Sequence, residues 1–160
     1  MINETDLQHL QRCIELAKEA VDHGDQPFGS VLVSAEGKVL AEDRNRVGKG
    51  DATQHPEFSL ARWAGENMTA EDKKNAVVYT SGEHCPMCSA AHGLVGLGKI
   101  VYASSSKQLS EWKKELGVES QSIQSIPIEG VILNAEVEGP VPELAEQVHE
   151  LHRQYHAKQR

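Results

Sequence analysis

Apolar residues at Leu7, Leu10, Ile14, Ala17 and Val21 recur at spacings of 3, 4, 3 and 4, the period of one helix face, and predict an amphipathic helix ending near Gly24. Thr5 to Gln8 reads as a capping box at its start. The period then changes. "SVLVSAEGKVLAED" predicts two short strands around a Glu36-Gly37 turn. After a polar loop, "HPEFSLARWAGE" has helical character and gives way to a short turn region from Thr69. "AVVYT" and "KIVYA" are uninterrupted apolar runs of strand length, with the helical "PMCSAAHGLVGLG" between them. "KQLSEWKKELG" predicts a helix closed by Gly117, and "IPIEGVIL" a weaker strand. Leu144, Val148, Leu151 and Tyr155 repeat at 4, 3, 4 behind Pro142 and predict a C-terminal helix. Buried strands separated by helices predict a sheet covered on both faces.

The chain has 160 residues, which suits a single domain over 1–160 with a hydrophobic core that needs no staples. Three cysteines, an odd number, and no apolar run behind a basic start argue for a reducing, cytoplasmic setting rather than secretion. No apolar stretch approaches the roughly 20 residues of a membrane span. A net charge of -8 argues against nucleic acid as partner, because such binding needs a basic footprint. Lys73-Lys74 and Lys113-Lys114 are only isolated pairs. Small-molecule substrates fit better.

Two of the cysteines, Cys85 and Cys88, lie three apart in "SGEHCPMCSA". That spacing serves a redox disulfide, half of a zinc site or a haem attachment, and Ser89 in place of histidine removes the last. Zinc with three protein ligands and an open fourth position is catalytic, whereas four closed ligands are structural. Among eight histidines, His55 stands out as third ligand, since it opens the predicted helix of "DATQHPEF" with Glu57 two residues on. Pro56 follows His55 and Pro86 follows Cys85, and proline favours the first helical position. Both residues therefore fall at helix starts, with Cys88 one turn beyond Cys85 on the same face. The positive helix ends favour thiolates. A thiol oxidoreductase would use the same dipole, so it stays open here, but it gives no part to His55 and Glu57.

"HPE" at 55–57 followed by "CPMC" at 85–88 resembles the HxE…PCxxC signature of the zinc-dependent cytidine/deoxycytidylate deaminase superfamily. "PFGSVLV" at 27–33 resembles the PFGAVIV strand of its guanine deaminase-like and tRNA adenosine deaminase-like members. "NRV" at 45–47, "DAT" at 51–53 and "YTSGEHCPMC" at 79–88 resemble their NRP, DPT and YTSxEPCPMC. The likeness runs in order over about residues 7–104 and fades beyond, where such proteins differ in substrate. Three departures stand out: His84 replaces proline before the first cysteine, Pro56 replaces alanine, and Ala52 replaces proline.

The resemblance implies a three-layer α/β/α sandwich around a mixed five-stranded sheet, and a homodimer. It implies zinc held by His55, Cys85 and Cys88, Glu57 as general acid and base, Asn45 hydrogen-bonding the substrate and Phe28 packing on its ring. The reaction implied is hydrolytic deamination of a free nucleobase or nucleoside, guanine or a related aminopurine first. Cytosine or cytidine comes next, and adenosine in tRNA third because of the acidic charge. A catalytically silent zinc-binding interaction module is the rival of another class, and Glu57 argues against it, since a structural site has no use for a carboxylate beside the metal.

Other residues read as structure. His84 is expected to be a wall of the pocket rather than a fourth ligand, since closing the zinc would leave no place for water. Trp112 and Tyr155 fall at helical core or interface positions, Cys13 is expected to be packed and inert, and Met87 to be filler. His149, His152 and His156, at i, i+3 and i+7, are expected on a solvated helix surface.

Overall fold

The computed structural model describes residues 1–119 and 122–159. Helix α1, Glu4–Asp22, carries the predicted stripe from Leu10 onward, with Leu10, Ile14, Ala17 and Val21 buried and Cys13 beside them, whereas Leu7 in the second turn is exposed. Its cap lies two residues before the predicted one: the Asn3 side chain accepts from the Asp6 backbone N–H, and the Asp6 carboxylate accepts from the Asn3 N–H. Asn and Asp fill the roles sought in Thr5 and Gln8, which leaves Thr5 inside the first turn.

Five strands follow: β1 Gly29–Val33, β2 Val39–Arg44, β3 Val77–Gly82, β4 Lys99–Ser104 and β5 Val137–Glu138. They form one sheet in the order β2-β1-β3-β4-β5. β1 is antiparallel to β2 and β3, while β3, β4 and β5 run parallel. The β1–β2 hairpin turns at Gly37, whose φ of 87° suits glycine. The mixed five-stranded sheet is the expected one, but its last strand is elsewhere. In "IPIEGVIL" the amides of Val131 and Ile132 both return to the Ile128 carbonyl, and the Ile128 N–H goes to Glu83. With those donors spent locally, Ile128–Gly130 forms a 3-10 turn. Ile128 still packs in the core against Ile100 and Tyr102.

The remaining helices are α2 Pro56–Asn67, α3 Ala70–Lys74, α4 Pro86–Val95, α5 Ser106–Glu115 and α6 Pro142–Lys158. α3 occupies the expected turn region, with Thr69 accepting from the Asp72 N–H as its N-cap. Alternation along the strands builds two cores. Val31, Val33, Tyr79, Val101 and Ala103 face α1, α5 and α6, burying Trp112 and Val148. Leu32 and Val78 face the opposite layer, where Leu60, Ala61 and Ala64 of α2 and Ala91 of α4 pack. These are the layers of the predicted α/β/α sandwich. Among the described residues no helix is long and apolar enough to cross a membrane.

α1 lies so close on β1 that a Cβ at Gly29 would come 2.4 Å from the Cys13 carbonyl oxygen and 2.5 Å from the Leu16 Cβ. Backbone cannot yield there as a flexible side chain would. Gly29→Ala is expected to destabilise the protein by about 1–3 kcal/mol or more, read as a lowered urea midpoint. An unchanged midpoint would show that α1 is free to shift.

Candidate metal and substrate site

His55 and Cys85 are the N-cap residues of α2 and α4, and each is followed by proline at the first helical position. Neither side chain caps its own helix. They turn to each other instead: the Cys85 Sγ lies 3.5 Å and the Cys88 Sγ 3.6 Å from the His55 Nδ1. One donor atom from each of the three residues falls within 4.8 Å of the others, so the trio can hold a metal ion. This is the only such cluster among the described residues. The two helix N-termini meet there and favour negative charge. The two thiols act on each other. Hydrogen bonding from Cys88, working against burial and helped by His55, lowers the Cys85 thiol to about 4, while the same hydrogen bond and burial raise Cys88. Burial opposes the His55 imidazolium, yet the neighbouring Cys85 and Glu57 outweigh it and raise the ring's pKa. All three cysteines are free thiols; burial raises the wholly enclosed Cys13 well above the usual range and makes it inert.

Glu57, one position into α2 from Pro56, is 5% exposed. Its Oε1 accepts from the Ser30 hydroxyl at 2.9 Å and the Thr80 hydroxyl at 3.1 Å. The Ser30 and Thr80 oxygens are also 2.9 Å apart, and the Thr80 hydroxyl lies 2.9 Å from the Gly82 carbonyl oxygen. Burial, partly offset by His55, raises the Glu57 pKa above the usual carboxyl value. Ser30 and Thr80 escaped the sequence reading. A signal was available for Ser30, the one hydroxyl in an otherwise apolar and fully buried strand, while Thr80 sits next to Ser81 in a strand buried from Val78 onward.

A cavity of about 820 Å³ opens on this cluster. His55, Glu57, Cys85 and Phe28 line one end. The Phe28 ring stands edge-on to His152, 5.4 Å between centroids. His84 is in the wall as well, outside the converging donors. It is 1% exposed, neither ring nitrogen has a partner among the described residues, and it meets His92 edge to face at 5.4 Å. Asn45 is not among the lining residues. It is nevertheless 1% exposed, with Nδ2 lacking any partner among the described residues while Oδ1 accepts from the Val47 N–H. Its backbone is fixed twice, by its N–H to the Phe28 carbonyl at 2.9 Å and by Arg44, whose Nη1 donates to the Asn45 carbonyl and to Asp25 at 2.7 Å. Asp25 also accepts from the Gly48 N–H. Neither Asp25 nor Arg44 was singled out from sequence, because a buried ion pair between distant residues leaves no local pattern.

α5 lines the cavity as well, through Ser106, Leu109, Ser110 and Lys113, and Glu83 ties its start there. Its Oε1 accepts from the Ser106 N–H and hydroxyl and its Oε2 from the Ile128 N–H. The expectation of a solvated histidine face on α6 fails at two of its three positions. His149 and His152 are 8% and 3% exposed, because Trp112 of α5 packs against that face, stacking on His149 at 4.5 Å with a 7° tilt. Tyr155 packs against the same core.

Burial, with smaller contributions from His156, Lys113 and His149, lowers His152 to about 3. Its folded pKa therefore lies below the unfolded value of about 6.5. Between these values the unfolded chain binds the extra proton, so its share of stability is present above about pH 6.5 and is lost as pH falls toward 3. One such imidazole contributes a slope approaching about 1.4 kcal/mol per pH unit. His152→Leu is expected to flatten the acid limb of a urea-midpoint profile, whereas parallel profiles would contradict a neutral buried ring.

The family described as the cytidine and deoxycytidylate deaminase zinc-binding region matches residues 3–104. A probable cytosine deaminase of Schizosaccharomyces pombe is 32% identical over 116 residues, 72% of this chain and 70% of that protein. Guanine deaminase of Bacillus subtilis is 35% identical over 104 residues, 64% of this chain and 66% of that protein. Among solved structures, a guanine deaminase from Nitrosomonas europaea superposes with a TM-score of 0.69 at 20% identity, covering 98% of this chain and 86% of the other. At that identity the superposition speaks for the fold.

Proposed function

Since this chain belongs to the cytidine and deoxycytidylate deaminase zinc-binding family, whose members are zinc-dependent hydrolases of C–N bonds, we propose that it deaminates a free nucleobase or nucleoside, guanine or a related aminopurine first. One observation carries the reading: an imidazole and two sulfurs within 4.8 Å of one another beside a buried carboxyl group. The chemistry of that donor set fits zinc, as one imidazole and two thiolates leave a fourth position open. His55, Cys85 and Cys88 would hold the ion, which when bound supplies the Lewis acidity that makes water reactive at neutral pH.

The chain's own part in the reaction falls to Glu57. It accepts a proton from the attacking water, delivers it to a ring nitrogen of the amidine, and takes the remaining hydroxyl proton to the amine. A C–O bond forms, the C–N bond breaks, ammonia departs and Glu57 ends ionised as it began. Ser30 and Thr80 fix the rotation of the carboxyl group through Oε1. The pKa raised by burial suits a group that must both take and give. Phe28 offers its ring to a flat base, and Asn45, which lies behind the cavity lining with an Nδ2 that has no partner among the described residues, would donate to a ring nitrogen or carbonyl once substrate reaches it.

Cytosine is the second reading, favoured by the Schizosaccharomyces pombe relative. Ammonia release from guanine, cytosine, their nucleosides, pterins and triazines, measured side by side, separates the two. Guanine turned over fastest supports the first reading, cytosine the second, and inactivity on all of them overturns both. The three free thiols suit a reducing, cytoplasmic setting. A homodimer is part of the proposal, supported by Leu94 and Leu133, which are 88% and 91% exposed. Sedimentation at twice the mass of one chain is expected.

A further inference from the structure

We infer that the buried Asp25–Arg44 ion pair positions substrate recognition, by holding Asn45 so that its Nδ2 can meet the ring. The inference rests on the deaminase reading and adds two positioning residues to it. Asp25 and Arg44 are 11% and 10% exposed at their side chains and 2.7 Å apart. Each also grips backbone. The Arg44 Nη1 that donates to Asp25 Oδ2 donates at 3.1 Å to the Asn45 carbonyl oxygen, while Asp25 Oδ1 accepts from the Gly48 N–H at 2.8 Å. The segment after Asp25 carries Gln26 and Phe28, which line the cavity, and the Phe28 carbonyl takes the Asn45 N–H. Asn45 Oδ1 accepts from the Val47 N–H at 3.0 Å. Its N–H, carbonyl and Oδ1 are thus all spent on holding Asn45 still. Nδ2 alone has no partner among the described residues, in a residue 1% exposed, and a buried donor left over in this way points to a ligand.

Stability gives no sufficient reason for this pair. Two apolar side chains of similar volume would serve the fold as well, because a buried ion pair roughly repays its own desolvation. They could not donate to the Asn45 carbonyl or accept from the Gly48 N–H. The fit at Gly48 is close: a Cβ there would come 2.5 Å from Asp25 Oδ1 and 3.0 Å from the Gly24 carbonyl oxygen. The chain beyond Asn45 therefore seats directly on Asp25. One charge pair joins the two segments that carry Phe28 and Asn45, 17 positions apart in the chain, and a contact misplaced by about 1 Å can cost about 10²-fold in rate.

The test is a double-mutant cycle between the pair and Asn45, read as kcat/KM for the heterocycle that releases ammonia fastest. Asp25→Asn with Arg44→Met leaves no charge buried alone and keeps an acceptor for Gly48, but removes the donor to the Asn45 carbonyl. This neutral pair is expected to keep the urea midpoint and zinc content of the wild-type protein and to lose about 10-fold in kcat/KM. In an Asn45→Ala background the same replacement is expected to cost less than about 2-fold, since nothing is left to position. Should the neutral pair fail to fold, Gly48→Ala, which pushes on Asp25 without touching a charge, reads the same coupling. An unchanged kcat/KM, or an equal loss with and without Asn45, makes the pair merely structural and overturns the proposal. Absence of ammonia from every compound would sink the deaminase reading by itself. Hydrogen exchange of the Asn45 N–H then still reads the clamp: exchange about 10-fold faster in the neutral pair supports it, and unchanged exchange overturns it.

Discussion

Glu57→Gln is expected to bind as much zinc as the wild-type protein and to lose turnover by about 10²- to 10⁴-fold. Glutamine keeps the shape and can still accept from the Ser30 and Thr80 hydroxyls that meet Oε1, but it cannot carry a proton between water, ring and amine. It is also neutral. The buried carboxyl already has a raised pKa, so its replacement relieves desolvation, and the variant is expected to fold at least as well. Metal content and ammonia release, measured on one preparation, give the outcome. Full activity in Glu57→Gln would end the acid-base assignment. A wild-type protein that binds zinc but releases no ammonia from any heterocycle would favour the silent zinc-binding module instead.

Cys88→Ala is expected to abolish metal binding. The sulfur is fully buried and 3.6 Å from the His55 Nδ1, so no other group can take its place, and two remaining ligands do not make a zinc site. Zinc per chain should fall from about one to near zero. Thermal stability should fall with it, because an ion that binds only the native state stabilises that state by mass action. Cys13→Ala supplies the contrast. Cys13 is equally buried but lies in the α1 core beside Gly29, and its variant is expected to keep the full metal content. Zinc retained by Cys88→Ala would dissolve the proposed ligand set. A titratable Cys85–Cys88 disulfide in metal-free wild-type protein would favour the oxidoreductase.

The parts legible in the sequence were those written in short-range patterns. The 3-4 period of Leu10, Ile14, Ala17 and Val21 gave α1, and the apolar runs gave β3 and β4. Proline after His55 and after Cys85 marked two helix starts, and the structure brings those starts together. What failed depends on contacts made across the fold. "IPIEGVIL" has strand composition, yet Glu83 takes the Ile128 N–H and turns the segment into a 3-10 turn. His149 and His152 look solvated in one dimension, and only the packing of Trp112 buries them. The Asp25–Arg44 pair and the Ser30–Thr80–Glu57 contacts join residues 19 to 50 positions apart, a range at which a sequence read by itself carries no pairing signal. The C-terminal third, where the family likeness fades, contributes most of the residues that line the cavity, so substrate choice is the least legible feature.

The proposed centre is a zinc ion held by one imidazole and two thiolates with one position left to solvent. The zinc K-edge X-ray absorption spectrum of the protein purified without added metal tests it most directly. One zinc per chain with two sulfurs at about 2.3 Å and two nitrogen or oxygen neighbours at about 2.0–2.1 Å, one of them exchanging for added cyanide, is the predicted result. A four-coordinate zinc that no exogenous ligand enters, or a protein that purifies without zinc, would rule out such an open centre.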